Sequence, residues 1–223
     1  MTPTVRLSLL PHVDVEAKVA RAIAELGPLA GRDVVILDAD GALRARQLAD
    51  LGARVVAVAP EARAAALRAD LGEVATPGLV SVASGIPSAS GLAAASADAV
   101  VGFWTTFRPG ADDEIAEAER ILRPGGRLLA VHDYARDDVS AFFPEERSRD
   151  LVAMSRRGGW YLEHGFKIRV VHAFWTFPDR DAMLAVMAEV FGPRAAESLA
   201  DRRRARLSWK VVVYHRTKDG VDS

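Results

Sequence analysis

Three features of the 223-residue chain predict an α/β fold with a mostly parallel sheet covered by helices on both faces. Apolar, β-branched runs recur along it, helical patterns separate them, and glycine or proline marks many of the junctions. Half of the residues are hydrophobic, enough for one substantial core, and no linker-like stretch divides the chain. The expectation is a single domain over residues 1–223, with an N-terminal arm and helix at 1–29, an α/β core at 30–216 and a tail at 217–223.

Val13 to Leu26 places Val15, Val19, Ala22, Ile23 and Leu26 at helical spacing, and Gly27-Pro28 stops the pattern. Val34 to Ala39 is the first strand; its run Val34-Val35-Ile36-Leu37 is of the kind buried on both faces. A helix over Leu43 to Leu51 ends at Gly52, and Arg54 to Ala59 forms the second strand. The helix over Glu61 to Leu71 is closed by Gly72, since glycine suits the residue just past a helix. Leu79 to Ala83 and Ala97 to Phe103 read as strands three and four. Asp112 to Leu122 reads as a helix whose acidic first turn complements the helix dipole. Arg127 to His132 is the fifth strand, followed by a polar and aromatic region. A strand at Phe166 to Phe174, a helix at Asp179 to Phe191 and a last strand at Leu207 to His215 complete the order.

Composition excludes several classes. The 29 basic and 30 acidic residues are scattered, so no nucleic-acid footprint stands out, and Arg202 to Arg206 reads as a solvated basic run. With no cysteine there are no disulfides, thiolate metal sites or cysteine nucleophile. His12, His132, His164, His172 and His215 lack zinc-ligand spacing, so no structural metal is expected. No apolar run approaches the roughly 20 residues of a membrane helix, and no signal-peptide core is present. No membrane partner is therefore expected, and a soluble, cytoplasmic protein is; the oligomeric state is left open.

The stretch from Asp98 to Val131 carries the most specific pattern. Asp98-Ala99-Val100-Val101, then Glu117-Ala118-Glu119-Arg120-Ile121-Leu122-Arg123-Pro124-Gly125-Gly126-Arg127 and Leu128 to Val131, join a strand, a helix, a glycine turn and a strand. This stretch resembles the fourth strand, helix and fifth strand of the class I methyltransferases that use S-adenosylmethionine. Ile86-Pro87, Ser90-Gly91 and Ser96-Ala97-Asp98 resemble that family's connection after the third strand, and Trp209 to Tyr214 its antiparallel seventh strand. The resemblance covers about residues 30 to 216. It implies a Rossmann-like sheet of seven strands, mostly parallel with an antiparallel last strand, and a site at the carboxyl ends of the strands.

The resemblance also implies where S-adenosylmethionine would bind. In the family the first strand ends in an acid followed by a glycine-rich loop. Asp38 matches the acid, and the loop continues through Ala39, Asp40 and Gly41. Asp40 stands at the first glycine position and Ala42 near the second, so the loop is degenerate. An acid there faces the cofactor carboxylate, and like charges about 4 Å apart repel by about 4 kcal/mol at an effective dielectric near 20. Arg44 and Arg46 are placed to offset part of this. Ala59 occupies the usual position of the ribose-binding acid, with Glu61 two residues later as its substitute. The acid that in the family faces the adenine amino group after the third strand is missing, with Val82, Ala83 and Ser84 in that region. Ser84 is the polar group there, and Phe103 and Trp104 end the fourth strand beside the cofactor or acceptor.

Three functions fit these residues. In a methyltransferase, His132, Asp133 and Tyr134 at the end of the fifth strand are the catalytic candidates, as base or as acceptor-positioning groups. A methyltransferase-like chain that has lost its cofactor would serve as a binding or partner subunit. Asp38-Ala39-Asp40-Gly41 also resembles the nucleophile loop of haloacid dehalogenase-type phosphatases, with Asp38 attacking phosphorus and Asp40 as acid and base. There, however, Ala42 replaces threonine or valine, and Ala59 ends the strand where serine or threonine is expected. Between strands five and six, Phe142, Phe143, Met154, Trp160 and Tyr161 accompany Arg136, Arg147, Arg149, Arg156 and Arg157. This segment suits a small-molecule acceptor, aromatic or anionic. Val5 to Val13 is an arm that could cover the same cleft or pair with a neighbouring chain.

Overall fold

A computed structural model describes residues 11–72 and 79–219; residues 5–10 of the arm and 220–223 of the tail lie outside the described residues. Seven strands form one sheet in the order β3-β2-β1-β4-β5-β7-β6. They are β1 (Asp33–Leu37), β2 (Arg54–Ala59), β3 (Val80–Ser84), β4 (Ala97–Phe103), β5 (Leu122–Asp133), β6 (Lys167–Thr176) and β7 (Arg206–Thr217). Strands β1 to β5 pair in parallel, and β7 runs antiparallel between β5 and β6. This is the seven-stranded, mostly parallel arrangement that the sequence predicts.

The helices are α1 (Lys18–Leu26), α2 (Ala42–Asp50), α3 (Glu61–Gly72), α4 (Asp112–Ile121), α5 (Glu145–Ser155), α6 (Trp160–Glu163), α7 (Arg180–Phe191) and α8 (Pro193–Ser198). Along β1, Val34 and Ile36 pack into the layer that holds Ile23 of α1, Leu48 of α2 and Met183 of α7. Val35 and Leu37 face the opposite layer, with Ile121 of α4, Leu151 of α5 and Tyr161 of α6. Burial on both faces is what an uninterrupted β-branched run requires. Among the described residues no helix is long and apolar enough to cross a membrane.

Two boundaries differ from the periodicity. The first helix begins at Lys18 rather than Val13, because Asp14 adopts φ 52° and its carboxylate accepts the Lys18 and Val19 amides at 2.8 and 3.1 Å. Val13 instead makes an isolated antiparallel bridge to Trp175 at the edge strand. The fifth strand starts at Leu122, five residues before Arg127, since Leu122 pairs with Ala97 before the glycine turn and the register shifts across it. At that turn Gly125 has φ 76°, and a Cβ on Gly126 would lie 2.8 Å from the Arg123 carbonyl. Glycine is therefore required at both positions by conformation and by space.

Candidate active site

The connection from β3 to β4 crosses the sheet, so the chain leaves β1 and β4 in opposite directions and opens a crevice at their carboxyl ends. Such switch points are where open α/β sheets place ligands. Leu37 pairs with Gly102, which sets Asp38 beside the Phe103-Trp104 end of β4. Five residues other than glycine in the turns after β1, β4 and β5 have positive φ: Asp38 (56°), Trp104 (59°), Phe107 (58°), Ala135 (69°) and Arg136 (62°). Left-handed conformations are costly for bulky side chains, and such strain concentrates at ligand sites.

The turn from β1 to α2 consists of Asp38, Ala39, Asp40 and Gly41. Ala39 is buried and its amide donates to the Val58 carbonyl at 2.8 Å, which fixes the turn to β2. Gly41 is extended, and no side chain caps the first turn of α2. Helix N-termini of this kind present free N–H groups to anions. Asp38 accepts a hydrogen bond from Arg63 of α3 at 2.8 Å, and the same guanidinium nitrogen lies 3.4 Å from the Ala39 carbonyl. The side chain of Asp40 reaches solvent, yet the surrounding protein desolvates it enough to raise its carboxyl above the usual aspartate range. Arg44 opposes that shift.

Arg44 is buried beneath the turn. Its Nη1 meets Asp14 Oδ2 at 3.1 Å and Gln47 Oε1 at 2.7 Å, and its guanidinium carbon lies 5.2 Å from the centre of the Trp104 indole. Arg46 turns away and donates to the Asp70 carbonyl. Of the two arginines after the turn, only Arg44 acts on Asp40.

At the end of β2, Ala59 is fully buried and its carbonyl accepts the Gly85 amide at 3.0 Å. The polar groups there are Glu61 and Ser84, both exposed and hydrogen-bonded to each other. Arg68 donates to Ser84 at 3.1 Å and lies 3.6 Å from Glu61. The hydrogen bond from Ser84, ahead of the Arg68 charge, lowers the Glu61 carboxyl pKa. The loop that follows is fixed from below by the Glu117-to-Arg120 turn of α4. Glu117 Oε1 accepts the Ser90 amide at 2.8 Å and the Ser90 hydroxyl at 2.5 Å, while Arg120 holds Glu117 at 2.7 Å and the Leu92 carbonyl at 2.6 Å.

A second hollow of about 360 Å³ opens at the ends of β4 and β5, walled by Trp104, Arg108, His132, Asp133, Arg147 and Met154 among others. His132 is 1 % exposed, packs against the Tyr161 and Tyr214 rings, and its Nε2 has no hydrogen-bond partner. Burial, reinforced by the Arg108 charge, lowers its pKa to about 3, so the imidazole is neutral. Asp133 is committed: Oδ1 accepts the Trp209 indole N–H at 2.9 Å and Oδ2 accepts Arg147 at 2.5 Å. Tyr134 is half-buried and its amide donates to the Lys210 carbonyl at 2.9 Å. Phe103 is buried, and Trp104 stacks between Phe103 and Trp209 with ring centres 5.6 and 5.7 Å away. Trp104 thus borders both the β1–β4 crevice and this hollow. Among the described residues no three His, Asp or Glu side chains converge as a metal site would require.

The sheet therefore gathers Asp38, Asp40, Gly41, Phe103 and Trp104 at the crevice, Glu61 and Ser84 at its β2–β3 side, and His132 and Asp133 at the adjoining hollow. Arg63, Arg108 and Asp14 belong to the same edge without a signal in the sequence, whereas Arg44 stands where the sequence places a charge to offset Asp40 and gains Asp14 as its partner. Arg147 was anticipated only as one of several arginines.

No family model matches the chain, and a search of curated proteins finds no match. Solved structures do resemble it. A candidate type II methyltransferase of Anaeromyxobacter dehalogenans superposes with TM-score 0.59 at 19 % identity, over 90 % of this chain and 95 % of that one. A candidate methyltransferase from an antibiotic biosynthesis pathway of Anabaena variabilis gives TM-score 0.57 at 15 % identity, over 92 % and 99 %. The cyclase SpnF gives TM-score 0.56 at 14 % identity, over 92 % and 81 %. These likenesses establish the class I methyltransferase fold.

Proposed function

We propose that this chain transfers the methyl group of S-adenosylmethionine to a small-molecule acceptor in the cytoplasm. The observation that carries the reading is the turn Asp38 to Gly41 at the switch point, which leaves the first turn of α2 uncapped beside a hollow large enough for a small molecule. Asp40 and Ala59 depart from what the cofactor needs, but other residues of the crevice offer it matching groups. The free N–H groups of α2 would receive its carboxylate, Glu61 and Ser84 its ribose and adenine edges, and Phe103 and Trp104 would wall it from the acceptor. When bound, the cofactor supplies an electrophilic methyl group on a sulfonium. The chain's own contribution is to hold the acceptor in line and to exclude water. Asp133 is tied to Trp209 and Arg147 and holds the wall in place. His132 presents a neutral imidazole at the hollow. Calorimetric titration of the folded protein with S-adenosylmethionine and S-adenosylhomocysteine tests the reading. Saturable binding of both at one site per chain supports it, and no heat at millimolar cofactor rejects it.

Two observations favour the cofactor-free alternative, a binding or partner subunit: Arg63 spans Asp38 and the Ala39 carbonyl, and β2 ends in a buried alanine. The cyclase among the structural neighbours shows that this fold also carries other chemistry. The phosphatase reading gains nothing from the geometry. Asp38, the nucleophile that reading requires, is paired with Arg63.

A further inference from the structure

We infer that the hollow between β4, β5 and α5 receives its acceptor through a carboxylate, bound by Arg147 and Arg108. Arg147 is a prepared donor. Its Nη2 is fixed by Asp133 at 2.5 Å, its guanidinium lies 4.0 Å from the centre of the Phe143 ring, and its Nη1 is buried without a partner. A buried donor left unpaired is costly, and a carboxylate oxygen entering beside Arg147 would satisfy it.

Arg108 supplies the unbalanced charge. It is half-buried at the same wall, with one nitrogen on the Trp104 carbonyl at 2.6 Å and no ion pair to any carboxylate among the described residues. Glu114, on the helix that follows, gives Oε2 to the Phe107 amide instead. The Arg147 charge is already matched by Asp133, which leaves the Arg108 guanidinium as the charge without an ion-pair partner at this wall. A monocarboxylate supplies one negative charge and two acceptor oxygens, the arrangement guanidinium groups read best. Glu146 and Asp150 line the same hollow but are exposed and screened by water; they bring its lining to one net negative charge, so a monoanion is held by the local arginine pair and a dianion such as phosphate is repelled more strongly. The Trp104 face and Met154 provide the apolar walls for the body of the molecule.

The role of the bound carboxylate as acceptor rests on the methyltransferase reading, but its binding can be measured without cofactor. Benzoate and its neutral counterpart benzamide are titrated into the full chain by ligand-observed and amide-shift NMR. Benzoate is expected to bind saturably, shifting Trp104 and His132 resonances, with benzamide at least about tenfold weaker, or ~1.4 kcal/mol. Arg147→Gln and Arg108→Gln are each expected to weaken benzoate by a similar factor. Arg108→Gln removes no ion pair and keeps the comparison valid if Arg147→Gln does not fold. Equal affinity for acid and amide, no saturable benzoate binding at millimolar concentration, no effect of Arg108→Gln, or displacement by equimolar inorganic phosphate would each overturn the inference. Benzoate binding in a protein that fails to bind S-adenosylmethionine would leave the carboxylate site standing and remove the methyltransferase reading.

Discussion

The Asp14 carboxylate and the Arg44 guanidinium meet at 3.1 Å with side chains 1 % and 7 % exposed, tying the segment before α1 to the first turn of α2. The same carboxylate accepts two amides of α1, and the Asp14 amide donates to Phe174 on β6 at 3.0 Å. One residue thus joins the N-terminal segment, the edge strand and the candidate cofactor turn.

Removing one partner of a buried pair strands the other charge and costs about 3–5 kcal/mol. Asp14→Ala is therefore expected to lower the unfolding free energy in urea by that amount. Arg169→Ala, which breaks an exposed pair with Glu25, should cost less than about 1 kcal/mol. Similar losses for the two variants would show that the Asp14–Arg44 pair does not organise this edge.

Glu117 has its pKa lowered from 4.5 to about 2, first by the Arg120 hydrogen bond and then by the Ser90 contacts. Its folded value lies below the unfolded one, so its contribution is complete above pH 4.5 and is lost as the pH falls toward 2. Glu117→Gln should cost about 2 kcal/mol at neutral pH, and the gap from the wild type should close through that window. A gap independent of pH would place the stabilisation elsewhere.

His132 loses stability in the same direction, toward acid, but from a higher pH than Glu117. Its pKa falls from 6.5 to about 3 on folding, so the unfolded chain takes the proton first and stability declines as the pH drops below 6.5. Between pH 6.5 and pH 5 this amounts to about 2 kcal/mol. His132→Gln should lack that part of the acid slope, and the wild-type imidazole should show no protonation by NMR from pH 8 to pH 5. A titration near pH 6.5 would contradict the burial of the ring.

In the proposed reading Asp40 stands next to the uncapped start of α2, whose N–H groups would receive the cofactor carboxylate. Asp40→Gly, which restores the family's residue, is expected to tighten S-adenosylmethionine by at least about tenfold, a fraction of the roughly 4 kcal/mol estimated for like charges at 4 Å. Because the Asp40 carboxyl is raised, wild-type affinity should increase as the pH falls through its titration, and that increase should vanish in Asp40→Asn. An unchanged or weakened affinity in both variants would show that the turn does not face the cofactor.

The parts of the molecule read correctly from sequence were those with a local cause. The run Val34 to Leu37 has to be buried on both faces, and the Glu117-to-Gly126 stretch combines a helix, its stop and a glycine turn in consecutive residues. The parts missed depend on partners far apart in the chain. Nothing near Asp14 points to Arg44, nothing near Asp38 points to Arg63, and Arg108 acquires its role only when the turn after β4 brings it against His132. Helix α5 escaped because it buries only Leu151 and Met154 and so carries no regular apolar stripe, and α6 because it is a single turn that buries only Tyr161. Asp133 shows the converse. Its position at the end of β5 suggested chemistry, yet Trp209 and Arg147 take up both carboxylate oxygens.

The central claim is that the Asp38-to-Gly41 turn and the uncapped start of α2 form a cofactor site, and amide hydrogen exchange with and without S-adenosylmethionine tests it most directly. Slowed exchange in residues 41–44 and in the Phe103–Trp104 segment, saturating with cofactor, is the predicted result. Exchange in those segments that is unchanged at millimolar cofactor, in protein shown to be folded, would contradict the claim.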